Sequence, residues 1–168
     1  MYEFYVGRTP KDPPGNIVKV CLDSDGQLVD KSYYEAVSPA YLCRKGSCIY
    51  AVIENADFGG VQVFDVNKNG SLTAKARLDT EDVYSTYISA EKRGNRIFVA
   101  NYGTPSCAVY RYEAEKLVQE SVLREKKTEK SHIHCAALTP EEAYVCLVDV
   151  GTDEILVYAA DSLELVDT

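Results

Sequence analysis

The sequence predicts an all-β fold, a β-propeller of four-stranded antiparallel blades, from three recurring motifs. The first is Phe4-Tyr5-Val6-Gly7, Ile49-Tyr50-Ala51-Val52, Ile97-Phe98-Val99-Ala100 and Ala143-Tyr144-Val145-Cys146. Its aromatic falls at 5, 50, 98 and 144, so the steps are 45, 48 and 46 residues. The second follows in phase: Ile17-Val18-Lys19-Val20, Val61-Gln62-Val63-Phe64, Cys107-Ala108-Val109-Tyr110 and Ile155-Leu156-Val157-Tyr158. The third closes each unit: Gln27-Leu28-Val29, Ser71-Leu72-Thr73, Lys116-Leu117-Val118 and Glu164-Leu165-Val166. Repeats of about 40–50 residues made of short β-runs are the signature of propeller blades.

The elements follow in order. The first unit, about 1–37, opens at strand B with Tyr2–Arg8 and has no strand A before it. The next, 38–84, reads as A over Tyr41–Arg44, B over Cys48–Ile53, C over Gly60–Val66 and D over Ser71–Leu78. These runs are short, rich in β-branched and aromatic residues, and bounded by turn residues. Lys45-Gly46-Ser47 makes the A–B turn. Asn67-Lys68-Asn69-Gly70 makes the C–D turn, as Asp23-Ser24-Asp25-Gly26 does one unit earlier, with Gly supplying the positive φ of a tight turn. Glu113–Gln119 is charged enough to look helical, but it sits where C turns into D of the unit 85–131, and the repeat outweighs propensity. The last unit spans 132–168. Residues 1–168 therefore form one partial propeller, an open arc or a small four-bladed ring. Tyr50, Phe98 and Tyr144 are expected buried at equivalent blade positions.

A chain of 168 residues with a net charge of −8 can bury one good core, and its charge argues against a general nucleic-acid surface. No stretch approaches the ~18–20 apolar residues of a membrane span, and Met1–Lys11 has no apolar leader, which points to the cytoplasm and away from a membrane partner. Cysteines 21, 43, 48, 107, 135 and 146 fall mostly at apolar strand positions and read as reduced, small hydrophobes. Cys43 and Cys48 flank one turn and could face each other, but the compartment disfavours a disulfide. The basic run Arg124–Lys130 is either a solvated inter-blade loop or the border of a site for an anion. An arc with an unpaired inner edge and an uncovered apolar face is expected to self-associate.

In a four-stranded meander the B–C loops and the D-to-A connections emerge on one face. The B–C loops read Gly7-Arg8-Thr9-Pro10 onward, Glu54-Asn55-Ala56-Asp57, Asn101-Tyr102-Gly103-Thr104 and Asp149-Val150-Gly151-Thr152-Asp153. Each turns polar directly after an apolar strand and can converge on the channel mouth, although turn chemistry alone accounts for many of these residues. The chain has two histidines, His132 and His134, which on one strand point the same way at the start of strand A of the last unit. His-x-His can ligate a metal, but no third ligand and no C-x-x-C pair accompany it, so neither metal nor cofactor is expected.

His132-Ile133-His134, Thr139-Pro140, Tyr144-Val145 and Asp149-Val150-Gly151-Thr152-Asp153 resemble the Pro-His-Ala-His … Asp-Leu-Gly-Thr-Asp segment of the lactonase family. That family consists of seven-bladed propellers, among them propeller-type 6-phosphogluconolactonases and relatives of carboxymuconate-cyclising enzymes. Tyr5-Val6-Gly7, Ser38-Pro39-Ala40-Tyr41-Leu42, Gly59-Gly60-Val61 and Ala100-Asn101-Tyr102-Gly103 agree in order. The resemblance implies about half of a seven-bladed ring that hydrolyses a sugar lactone, a small molecule, without a cofactor. It implies His134 as the acid or base, with His132, Glu54, Asn101, Asp149 and Asp153 around the substrate. The chain departs from the family at Glu129-Lys130-Ser131, where the family has Arg-Gln, and at Arg8, usually Thr. The family's further arginines and a second-half glutamate are expected beyond Thr168. A binding or scaffold propeller without chemistry is the other expectation.

Overall fold

A computed structural model describes residues 1–9, 15–124 and 128–168 as fifteen strands in four antiparallel sheets. The first sheet has three strands: β1 (Tyr2–Arg8), β2 (Gly15–Leu22) and β3 (Leu28–Ala36). The second joins β4 (Leu42–Lys45), β5 (Cys48–Val52), β6 (Gly59–Val66) and β7 (Leu72–Thr80). The third joins β8 (Ser85–Ala90), β9 (Arg96–Asn101), β10 (Ser106–Glu113) and β11 (Lys116–Leu123). The fourth joins β12 (Ile133–Leu138), β13 (Tyr144–Asp149), β14 (Glu154–Ala159) and β15 (Leu165–Asp167). In every sheet each strand pairs with the next in sequence, so the sheets are meanders. No helix occurs among the described residues, and none therefore is long and apolar enough to cross a membrane.

Turn chemistry sets the hairpins. Gly46, at φ 57°, is the first of the two residues between β4 and β5. Ala114 and Glu115, at φ 49° and 61°, form the two-residue loop between β10 and β11, so the charged segment that looks helical is a hairpin. Two successive positive φ angles match the right-handed twist of the flanking strands.

The sheets stack face to face in chain order, with β4 against β8, β8 against β12, and β7 against β11 at the outer side. Alternation along each B and C strand sends one set of side chains to each neighbour. Tyr50, Val52, Val61 and Val63 of the second sheet meet Ile97, Val99, Ala108 and Tyr110 of the third. Phe98, Ala100, Cys107 and Val109 of the third meet Val145, Leu147, Leu156 and Tyr158 of the fourth. Ile17 of the first packs with Ile49, Ala51 and Phe64 of the second. All six cysteines are free; Cys21 and Cys107 are buried, and burial pushes the Cys107 thiol up to about 12.

Tyr144 departs from expectation: it is 44% exposed, whereas Tyr50 and Phe98 are buried. Hydrogen-bond register explains part of this. Phe98 lies opposite Ser89 and Val109, and the residue of the fourth sheet in that position is Cys146, opposite Ala137 and Val157. The two sheets therefore match at a step of 48 (98 to 146, and 101 to 149), and the Tyr-Val motif at 144 is two residues out of phase. The other part is that its face of the fourth sheet, with Ile155, has no further sheet against it.

Candidate functional site

The B-to-C loops and the entries to the A strands meet at one end of the stack, through a hydrogen bond repeated in three sheets. The N–H of a residue one or two past the end of strand B donates to a carbonyl of the segment that leads into strand A: Glu54 to Ser38 at 3.0 Å, Tyr102 to Tyr84 at 2.9 Å, and Val150 to His132 at 3.1 Å. Ser38, Tyr84 and His132 thus share one backbone address, and Glu54, Tyr102 and Val150 another. Two residues after the first address come Ala40, Thr86 and His134.

An open cavity of about 510 Å³ is lined by Glu54, Tyr84, Thr86, Tyr102, His134 and Val150. Every one of these residues belongs to the repeated addresses, so three successive sheets contribute to the cavity. It brings together Glu54 and His134. The His134 imidazole is exposed, and its ring stands edge-on to Tyr102 with centroids 6.2 Å apart. The main-chain carbonyl of His134 accepts the Thr86 hydroxyl at 3.2 Å, which ties β8 to β12 at the lip.

His132 is half-buried and differently employed. Strand β12 begins at Ile133, and a register shift lies between Ile133 and Cys135, so the two histidines do not simply point the same way off one regular strand. The His132 ring stacks on Tyr102 at 4.2 Å and 6° between planes, and its Nδ1 lies 3.0 Å from the Tyr102 carbonyl oxygen. A carbonyl cannot donate, so Nδ1 carries the proton in that bond and the neutral ring keeps its lone pair on Nε2. Tyr102 therefore stacks with one imidazole and stands perpendicular to the other.

Asn101 and Asp149 stand behind this surface. Both close strand B of their sheets and both are buried. Asn101 Oδ1 accepts the Ser85 hydroxyl at 2.7 Å, and its Nδ2 donates to Ser106 Oγ at 2.9 Å, which links β8, β9 and β10. Asp149 accepts the main-chain N–H of His132 at 2.8 Å and of Gly151 at 2.9 Å, and also the Ser131 hydroxyl. Burial raises its pKa, but these donors outweigh it and hold the carboxyl below its ordinary value. Both residues brace the loops. Asp153 is exposed in a left-handed turn conformation, φ 58°, and does not line the cavity. Gly151 is required by close approach: a methyl there would run into the Lys130 carbonyl.

The strands and the histidine pair point to this end from the sequence, but Tyr84, Thr86 and Tyr102 do not announce themselves. Superposing the units at the 48-residue step 54, 102, 150 finds them. In the basic run, Arg124 bonds the buried carboxylate of Asp82 at 2.7 Å, while 125–127 lie outside the described residues, as do 10–14 of the first B–C loop.

Stacked meanders define a partial propeller, and the sequence comparisons give its family. The model of the family described as "Lactonase, 7-bladed beta-propeller" matches residues 3–166, and the chain belongs to that family. It is 28% identical over 170 residues to a 6-phosphogluconolactonase of Bacillus subtilis, covering 94% of this chain and 49% of that protein. It is 26% identical to an uncharacterized protein of Staphylococcus epidermidis, covering 92% and 49%. The chain thus spans about half the length of the curated relatives it matches. Among solved structures, the periplasmic gluconolactonase of Pseudomonas aeruginosa superposes with a TM-score of 0.81 at 22% identity, over 94% of this chain and 50% of that one. A putative 6-phosphogluconolactonase of Bacteroides uniformis does so with 0.81 at 22%, over 98% and 53%. These similarities at low identity support a half-ring of the propeller fold.

Proposed function

We propose that this chain contributes the histidine wall of a sugar-lactone hydrolase site of the 6-phosphogluconolactonase kind. The observation that carries the reading is the exposed His134 imidazole, edge-packed on Tyr102, opening with Glu54 onto one cavity. His134 takes a proton from water as the water oxygen attacks the lactone carbonyl carbon. The tetrahedral intermediate then collapses, the bond from that carbon to the ring oxygen breaks, and the imidazolium returns the proton to the departing alkoxide. The product is the open-chain hydroxy acid. Glu54 accepts hydrogen bonds from the substrate hydroxyls, and the Asp149 and Tyr102 contacts keep the two imidazoles in place.

A non-catalytic binding propeller is the second reading, and one observation favours it. The residues lining the cavity include neither Lys nor Arg, so among them no cation faces an oxyanion or a phosphate. Hydrolysis of 6-phosphogluconolactone and of D-glucono-1,5-lactone by the purified chain separates the two. The hydrolase reading expects turnover that His134→Ala lowers by ~10²–10⁴-fold with the fold intact. Ligand binding without turnover selects the binding propeller.

A further inference from the structure

We propose that Tyr84 is the ligand-contacting aromatic of the mouth, its ring lying against the C–H face of a lactone ring held beside His134. This rests on the sugar-lactone reading and goes beyond it by naming the residue that selects a ring-shaped polyol derivative.

The argument begins with the backbone. Ser38 and Tyr84 occupy the same address in successive sheets, and both are left-handed, at φ 39° and 53°. An L-residue with a bulky side chain is disfavoured there, while Asn, Asp and Gly fit at least cost. The left-handed backbone that this address takes in the second and third sheets, and that His132 of the fourth does not share, suits a small residue, and the second sheet supplies Ser. The third supplies Tyr.

Nothing in the frame uses the ring. The bonds that fix this address are main-chain ones: the Tyr84 N–H donates to the Asn55 carbonyl at 2.9 Å, and its carbonyl accepts the Tyr102 N–H at 2.9 Å. Any residue could make them. The side chain is 41% exposed and lines the cavity with Glu54, Thr86, Tyr102, His134 and Val150. No side-chain hydrogen bond or ring pair engages the phenol among the described residues. The ring is nevertheless seated, because Gly103 leaves room for it: a methyl on Gly103 would stand 2.7 Å from Tyr84 Cδ2.

Tyr102, the other aromatic of the cavity, already has one imidazole stacked on it and another perpendicular to it. Tyr84 has the free face. An apolar ring face with a polar tip, beside a carboxylate and an imidazole, suits a cyclic ligand that has C–H bonds on one side and hydroxyls at its rim. A strained, seated and unused aromatic fits a residue retained for ligand contact.

The test uses the purified chain with D-glucono-1,5-lactam, a hydrolysis-resistant ring of the same shape, followed by calorimetry and thermal unfolding. Tyr84→Asn, which tolerates the left-handed address, is expected to unfold at the parent temperature or above it. It should bind the lactam about tenfold more weakly, which corresponds to ~1.4 kcal/mol. Tyr84→Phe, which keeps the ring, should bind within about threefold of the parent. Parent-like binding by Tyr84→Asn overturns this inference and leaves the lactone reading standing. A lower unfolding temperature for Tyr84→Asn overturns it as well, because the ring would then be packing rather than waiting for a ligand. A parent chain that ignores the lactam defeats the lactone reading and this inference with it.

Discussion

At the residue scale, Asp149 shows how a polar residue next to a site serves it without reaching it. Its carboxylate receives three donors from the loops around the histidines. Its folded pKa lies below its unfolded one, so the unfolded chain binds more protons as acid is added. The stabilisation is complete above the unfolded carboxylate value, ~4, and is lost as pH falls through the lower folded value. Asp149→Asn is therefore expected to cost ~1–3 kcal/mol at pH 7, from weakened and lost bonds to buried donors, and to flatten the acid limb of the stability curve. Denaturant melts at pH 7 and pH 3 check both; equal acid limbs in parent and variant would contradict the assignment. The same lesson covers Asn101, which turns polar at the end of a strand to tie β8 and β10 together.

At the element scale, hydrogen-bond register decides which residues are equivalent, and this limits what a motif can say. The short β-branched runs and Gly turns of the second sheet can be read directly, because alternation and positive φ leave a local mark. The fourth sheet misleads, because Tyr144-Val145 copies a motif while Cys146 occupies the Phe98 position. Phe98→Ala should cost ~3–5 kcal/mol, as a buried aromatic between sheets does. Tyr144→Ala should cost less than ~1 kcal/mol, because Tyr144 is 44% exposed and is not packed between two sheets. Comparable losses in urea melts would restore Tyr144 as the buried equivalent. The site was half legible for a related reason. Two histidines in one segment stand out by rarity, but Tyr84 and Tyr102 look like ordinary apolar residues until the sheets are aligned in three dimensions. The bracing role of Asn101 and Asp149 depends on burial, which residue type does not reveal.

At the scale of the whole molecule, two sheet faces have no other sheet against them among the described residues. Phe4 and Val6 lie exposed on β1, and Tyr144 and Ile155 on the fourth sheet. The inner edge of β1 also has no strand beside it among the described residues, since the first sheet runs β1-β2-β3. Such faces and edges associate. The purified chain is expected to form oligomers by light scattering, and the double variant Tyr144→Lys with Ile155→Lys should shift it toward monomer. Monomer at every concentration for the parent would refute this. The repeated N–H to carbonyl bond has a further consequence for how such a site can change. The frame of the mouth is built by main-chain atoms, and the side chains at 54, 102 and 150 and at 38, 84 and 132 differ from sheet to sheet. Each of these three sheets thus offers a socket of the same frame, and a lineage can rewrite ligand preference one socket at a time, without re-evolving the architecture that holds them.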